Sequence, residues 1–427
     1  MCGVRTMGSS SSILIKGVFF DGKITNIYIE DNKIVEIGDP KVEAETVIDG
    51  RDKAAIPSFF NAHTHAAMTL FRGYGDDLPL QEWLETKIWP TEAKLTEEDV
   101  YVGAKLACLE MIKSGTTFFN DMYWHLRGSL RAVDEAGIRA ALSSVVIDLF
   151  DPEKAEEQKK MVKEEFEKYK DFSERIQIVL GPHAIYTVSK ETLEWTAEFS
   201  EKNNLLIHFH LSETKKEVDD CIKQYGKRPV EYLDDIGFLS ERFIACHSVW
   251  LSEREIELLA KNDVTVVNNP TSNMKLSVGD YFKYQDLKKA GLNICLGTDG
   301  CASNNSLDMF GEMKFAALLQ KFGSNNPTEI SAKEVFDLAT INGAKAFRVD
   351  AGVIREGKKA DLLLVDLKRP EMTPLHDLAS NIVYSANAYC VDTTICNGKI
   401  LMQNRKVEWE NEIIEKAEKV AQDLVRR

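Results

Sequence analysis

The chain reads as an α/β protein: a (β/α)8 TIM-type barrel carrying a small β-sandwich built from both chain ends. Three observations predict it. Eight short apolar runs alternate with longer amphipathic stretches between residues 54 and 298, the flanking segments alternate β-rich runs with turn signals, and the residues able to do chemistry gather where the apolar runs end. Apolar strands joined by helices imply a parallel sheet buried on both faces, and eight such units in about 290 residues imply closure into a barrel.

Taken in order, residues 1–12 contain Arg5 and four successive serines. They lack the apolar stretch of a secretion signal and are expected to be a flexible leader. Residues 13–56 carry Ile13-Leu-Ile-Lys-Gly17, Asp21-Gly22, Ile27-Tyr-Ile-Glu-Asp31-Asn32 and Ile34-Val-Glu-Ile-Gly38, a β-meander and the first part of the sandwich. The barrel is assigned to 57–348, with strand runs at 54–61, 117–122, 140–147, 176–183, 205–211, 243–248, 264–269 and 293–298. Between the first two, residues 99–114 put Val102, Leu106, Leu109 and Ile112 on one helical face and stop at Gly115. Residues 349–427 return to the β style with Gly357-Lys-Lys-Ala-Asp-Leu-Leu-Leu-Val365 and the run ending at Gly398, followed from Glu408 by a charged amphipathic helix. Chain termini often lie close together, so the two ends can form one domain.

A chain of 427 residues that is 44% apolar can bury a core, so disorder as the whole story is excluded. The net charge of −15 argues against nucleic-acid polymers and anionic membranes as partners. The lysine-rich stretch 159–170 is interleaved with glutamates and reads as a solvated helix. No apolar run approaches the ~18 residues needed to span a bilayer. The eight cysteines form no Cys-x-x-Cys pair and sit mostly inside apolar runs, as reduced thiols of a cytoplasmic protein do. Oligomeric state is left open, a homo-oligomer included.

In a barrel of this kind the chemistry sits at the C-terminal strand ends. The first run continues as Phe59-Phe60-Asn61-Ala62-His63-Thr64-His65, and in an extended chain both imidazoles point the same way and can share one metal ion. The fifth ends His208-Phe209-His210-Leu211-Ser212-Glu213, the sixth at His247, and the eighth Gly297-Thr298-Asp299-Gly300. Imidazole nitrogens with one carboxylate suit Zn²⁺, and Fe²⁺ accepts the same set.

Together with Met68-Thr-Leu-Phe-Arg-Gly73, Glu82-Trp83-Leu84, Gly181-Pro-His183, Asn269-Pro-Thr-Ser-Asn273 and Ser303-Asn-Asn-Ser-Leu-Asp308, these motifs resemble the amidohydrolase superfamily from about Ile13 to Arg405. The resemblance is to its branch of methylthioadenosine/S-adenosylhomocysteine deaminases, 5′-deoxyadenosine deaminase-like proteins included, and triazine hydrolases. It implies one metal ion per subunit held by His63, His65, His210 and Asp299, with no lysine at the end of strand four to bridge a second ion. A metal there lowers the pKa of bound water toward ~7. Asp299 is then the general base, and Glu213 protonates a ring nitrogen and passes a proton to the departing amine. His247 is either a further ligand or the group that orients the attacking water.

The resemblance also implies that Trp83 stacks on the purine or its 5′ substituent, Glu92 accepts ribose hydroxyls, and His183 reaches the sugar or ring edge. His208 is expected one layer below the site, His125 at its mouth, and His376 in a structural place. The implied reaction is hydrolytic deamination of an adenosine-type nucleoside (5′-methylthioadenosine, S-adenosylhomocysteine or 5′-deoxyadenosine) to the inosine analogue plus ammonia. The alternative is a triazine-type or other aromatic-ring aminohydrolase or chlorohydrolase, which offers no ribose to Glu92. Two departures stand out: Ser144 replaces an arginine expected to pair with a homocysteine carboxylate, and Asn268 stands where many relatives carry histidine.

Overall fold

The structure, a computed structural model, describes residues 11–78 and 80–427. Residues 1–10 of the expected leader lie outside that range, and its last residue, Ser12, already opens a strand. Strands β1 (Ser12–Phe20), β2 (Lys23–Glu30) and β3 (Lys33–Gly38) form the meander, antiparallel throughout. Asp21 (φ 49°) and Gly22 (φ 75°) make the first turn, the left-handed pair that a tight hairpin demands. β4 (Thr46–Asp49) lies parallel to β1, and β5 (Lys53–Pro57) follows.

The predicted run 54–61 is two strands, because the chain leaves one sheet and enters another at Ser58. β5 belongs to the meander's sheet, and β6 (Phe59–Thr64) opens a parallel one. β7 (Thr116–Tyr123), β8 (Arg139–Val146), β9 (Ile176–Ile178) and β10 (Gly181–Pro182) complete that sheet in the order β10-β8-β7-β6, with β9 beside β8. β11 (Ile207–Leu211), β12 (Phe243–His247), β13 (Thr265–Asn268) and β14 (Asn293–Leu296) form a second parallel sheet in chain order. Every residue of β6, β7, β8, β11, β12 and β13 is buried, as strands covered on both faces are.

Backbone hydrogen bonds run between the two parallel sheets at both margins. The Leu180 N–H donates to Leu206 O (2.9 Å) and the His208 N–H to Leu180 O (2.8 Å), while the Asp299 N–H donates to His63 O (2.9 Å). Phe60, Phe118, Val179, Leu206, Ile244, Val267 and Cys295 fill one core between them, capped by Phe347, whose ring centre is 4.7 Å from that of Phe118. Helices lie on the other side. The one spanning Glu97–Ser114 is opened by the Thr96–Asp99 capping box and closed by left-handed Gly115 (φ 89°).

β15 (Leu362–Asp366), β16 (Val391–Cys396) and β17 (Lys399–Met402) then extend the meander's sheet, β15 pairing antiparallel with β5. Both chain ends therefore share one eight-stranded sheet. A buried Arg139 on β8 reaches Asp361 Oδ2 (2.7 Å) and Asn397 Oδ1 (2.5 Å), tying that sheet to the parallel one. The last helix, Glu410–Arg426, buries Ile413, Ala417 and Leu424 against the helix Glu97–Ser114. Among the described residues, seven cysteines are free and buried, and no helix is long and apolar enough to cross a membrane.

Candidate active site

Three strand ends turn through left-handed conformations carried by residues other than glycine: Ser212 (φ 47°) after β11, His247 (φ 68°) and Ser248 (φ 49°) at β12, and Asp299 (φ 62°) after β14. Such backbone is disfavoured for these residues and persists where surroundings over-determine it. Around these ends the structure brings together His63, His65, His210, His247, Glu213 and Asp299, at the floor of a cleft.

The hydrogen bonds set which nitrogen each imidazole offers. His65 Nδ1 lies 2.8 Å from Met122 O and His210 Nδ1 lies 2.9 Å from His183 O; a carbonyl only accepts, so both rings carry their proton on Nδ1. Their Nε2 atoms, left with lone pairs, face each other at 3.2 Å. His63 Nδ1 is taken by His208 Nε2, and His63 Nε2, fully buried, has no hydrogen-bond partner among the described residues. It lies 3.3 Å from Asp299 Oδ1, the same distance as His65 Nε2, with the oxygen off the line an N–H would need. His63 Nε2 and His65 Nε2 thus converge on one carboxylate oxygen, with His210 Nε2 beside that of His65, and lone pairs gathered so closely repel one another unless a cation sits among them. The donor set therefore fits a divalent metal ion, nitrogen-rich with one oxygen.

Electrostatics agree. Burial pulls His63 down to about 4 and His210 well below the ordinary imidazole value, so both are neutral with lone pairs free at pH 7. For Asp299 burial acts against ionisation, but the imidazoles around it prevail and hold its carboxyl well below the usual range. Its second oxygen, Oδ2, accepts from Ser272 Oγ (2.6 Å) and Ser303 Oγ (3.0 Å).

Glu213 stands on the far side of His247, its Oε1 3.8 Å from His247 Nδ1. Burial pushes its carboxyl up, with the Asp299 charge adding to the effect and His247 opposing it. Burial opposes a charge on His247, yet the Glu213 and Asp299 carboxylates outweigh it and raise its pKa. His247 Nδ1 also lies 2.9 Å from Asn273 Oδ1, which fixes the ring.

Trp83 and Glu92 both line the cleft. Nine residues of pure α-helix, at ~100° each, would leave them about half a turn apart. The π-helical turn Leu84–Ile88 between the short helices Leu80–Trp83 and Trp89–Glu92 rotates them toward a common face. Burial raises the Glu92 carboxyl, against the polar groups of Tyr123 and Trp124 beside it. His183 lines the same cleft; the Thr187 hydroxyl donates to Ala184 O, so His183 donates to it from Nδ1 (2.9 Å) and keeps Nε2 as an acceptor. Met68, Leu84, Ile88, Tyr123, Trp124, Val145, Ile147 and Tyr186 complete an apolar and aromatic wall, and no lysine or arginine lines it among the described residues.

Three expectations meet a different outcome or gain a definite one. His125 does not line the cleft, because it caps the helix Leu126–Ala136 in a left-handed conformation that turns Nε2 to Leu95 O (3.0 Å). Ser144 Oγ donates to Glu165 Oε2 (2.7 Å), so an acid stands beside the place of the missing arginine. Asn268, buried at the end of β13, has its Oδ1 unpartnered among the described residues. Ser272, Ser303 and Asn273, which orient Asp299 and His247, went unassigned on sequence; they lie inside the motifs quoted above, which was the available signal.

Parallel strands that present a His-x-His pair, a third imidazole and a terminal aspartate around one point define a metal-dependent hydrolase scaffold. Residues 54–401 match the amidohydrolase family, and the chain belongs to it. It is 54% identical over 405 residues to 5-methylthioadenosine/S-adenosylhomocysteine deaminase 1 of Archaeoglobus fulgidus, covering 93% of this chain and 95% of that one. It is 49% identical over 427 residues to 5′-deoxyadenosine deaminase of Methanoregula boonei, covering 98% and 97%. The crystal structure of an adenosine deaminase from Xanthomonas campestris with bound zinc superimposes with a TM-score of 0.92 at 33% identity, covering 98% of this chain and 99% of that one.

Proposed function

We propose that the protein removes the ring amino group of an adenosine-type nucleoside by hydrolysis, giving the inosine analogue and ammonia. One zinc ion is held by His63, His65, His210 and Asp299, and Fe²⁺ suits the same donors. The observation that carries this reading is the convergence of His63 Nε2 and His65 Nε2 on Asp299 Oδ1, with His210 Nε2 facing that of His65, at the floor of a cleft whose wall offers Trp83, Glu92 and His183. The named relatives support the substrate class.

When bound, such an ion lowers the pKa of water toward ~7 and supplies the nucleophile at neutral pH. Asp299, kept ionised and fixed by Ser272 and Ser303, accepts the proton released as the water attacks. Glu213, whose burial favours the protonated acid, donates to the ring nitrogen next to the reacting carbon and then carries a proton to the leaving amine. His247, held by Asn273, orients the attacking water. Trp83 stacks on the purine, Glu92 accepts the ribose hydroxyls, and His183 Nε2 accepts from the sugar or ring edge.

The wall also ranks the 5′ substituents. A homocysteine carboxylate brought into this cleft meets Val145, Ile147 and Trp124, and the acid nearest Ser144 is Glu165. Without a cation to pair with it, that charge is desolvated at a cost. 5′-Deoxyadenosine and 5′-methylthioadenosine are therefore the better substrates.

For the scaffold, the hydrogen bonds at both margins of the parallel sheets support one closed (β/α)8 barrel over 57–348. The shared core of Ile15, Ile27, Ile48, Leu362 and Ile395 supports a small sandwich formed by 13–56 and 349–427 folding over itself. The buried, unpaired thiols suit a reducing cytoplasm.

An ultraviolet assay across 5′-deoxyadenosine, 5′-methylthioadenosine, S-adenosylhomocysteine, adenosine, guanine and a melamine-type triazine tests the reading. The first two are expected to turn over fastest. Turnover of the triazine alone overturns it.

A further inference from the structure

The helix Lys215–Tyr225 begins just after Glu213, and its first turn differs from those of its neighbours. In the helices opened by Thr96, Ser252 and Ser331, the acid at the third position bonds back to the N–H of the capping residue: Asp99 to Thr96, Glu255 to Ser252, Glu334 to Ser331. Thr214 caps its helix in the ordinary way, its Oγ1 accepting the Glu217 N–H at 3.1 Å. The Glu217 carboxylate does not complete that box. Its Oε1 accepts the Ser212 N–H at 2.7 Å and its Oε2 the Glu213 N–H at 2.8 Å.

Ser212 is the left-handed residue that turns the chain out of β11. Its carbonyl accepts the N–H groups of Val249 and Trp250 at 3.1 and 2.9 Å, from the segment that follows His247. The turn is thus gripped on one side by the strand end carrying His247 and on the other by Glu217. Glu217 is buried and does not line the cleft, so it touches no substrate.

We infer that Glu217 is a positioning residue: its carboxylate holds the left-handed turn at Ser212 so that Glu213 enters the cleft with its carboxyl 3.8 Å from His247 Nδ1. The effect on turnover rests on the acid-base role proposed for Glu213. A residue that only capped a helix would change stability and leave turnover alone.

Glu217→Gln turns one of the two acceptors into a donor facing an N–H. It is expected to lower kcat on 5′-deoxyadenosine by about 10- to 100-fold, as small misplacements of a reacting group do, while KM and bound metal stay near the parent's. Glu217→Asp, too short to span both N–H groups, should act in the same direction if the glutamine variant does not fold. The double variant Glu213→Gln/Glu217→Gln should be no slower than Glu213→Gln alone, because both changes act through one group. Thr214→Ala, which removes only the ordinary cap, should lower Tm with the parent's kcat. A Glu217→Gln kcat within about twofold of the parent, or losses that multiply in the double variant, overturns the inference. A crystal structure of Glu217→Gln reads the positioning directly: the Glu213 carboxyl should leave His247, and an unmoved carboxyl refutes the role. That readout holds whatever the substrate, so a parent inactive on every nucleoside with a displaced Glu213 in the variant would fault the proposed reaction and not the positioning.

Discussion

His63 Nδ1 and His208 Nε2 lie 2.6 Å apart beneath the site, and this contact decides which nitrogen His63 presents to Asp299. When Nδ1 carries the shared proton, Nε2 is left as a lone pair, the form a metal ligand requires. Burial keeps His208 itself neutral, so it can accept. Removing the acceptor frees the His63 ring to take the wrong tautomer. His208→Phe is expected to weaken metal binding about 10- to 100-fold, the usual cost of losing a group that orients a ligand. Competition against a metal chelator measures it, and unchanged affinity would show that His208 only fills space.

Glu213→Gln separates the acid from the metal site. The variant should hold the parent's metal content and lose about 10²- to 10⁴-fold in kcat, the span of general acid-base catalysis. Near-normal turnover would remove Glu213 from its role.

Glu92 is tested through the substrate. Glu92→Gln should lose about tenfold or more in kcat/KM on 5′-deoxyadenosine, the worth of a hydrogen bond to a charged group. The loss should vanish on 2′,3′-dideoxyadenosine, which lacks the 2′- and 3′-hydroxyls that Glu92 would bind. An equal loss on both would place Glu92 elsewhere in the reaction.

Arg139 and Asp361 form a buried pair between the parallel sheet and the sheet of the chain ends. Asp361→Ala strands a buried guanidinium and exposes the Asn397 N–H, which the same carboxylate accepts. A loss of roughly 3–5 kcal/mol is expected by denaturant titration. A loss below about 1 kcal/mol would mean that water already reaches the pair.

Glu312 gives a pH signature. Burial pushes its carboxyl up to about 8 from 4.5, against hydrogen bonds from Asn304 and Thr271. The folded state therefore prefers the neutral acid. Its contribution is present in full below about 4.5 and is lost as pH rises through about 8. Glu312→Gln should gain Tm relative to the parent between pH 6 and pH 9. A difference that stays constant across that range would contradict the shift.

What was legible in the sequence follows from what each residue must do locally. His63, His65, His210 and Asp299 could be read because apolar strands mark their own ends, and the chemistry of this scaffold sits there. The run 54–61 concealed the change of sheet because Ala54, Ala55 and Ile56 before Ser58 and Phe59, Phe60 and Asn61 after it are all buried. His125 was misplaced because one left-handed residue redirects a ring, and periodicity does not report φ. Ser272, Asn273 and Glu217 look like ordinary turn and cap residues; their partners, Asp299, His247 and the Ser212 turn, are joined to them by the fold and not by a motif.

The most direct measurement is ammonia released from 5′-deoxyadenosine by the purified protein, by the same protein stripped with a chelator, and after zinc is restored. One ammonia per nucleoside from the parent, none from the stripped protein, and recovery on reloading are predicted from the convergence of His63, His65, His210 and Asp299. Undiminished release after the metal is gone, or no release from any adenosine-type nucleoside by metal-replete protein, would contradict it.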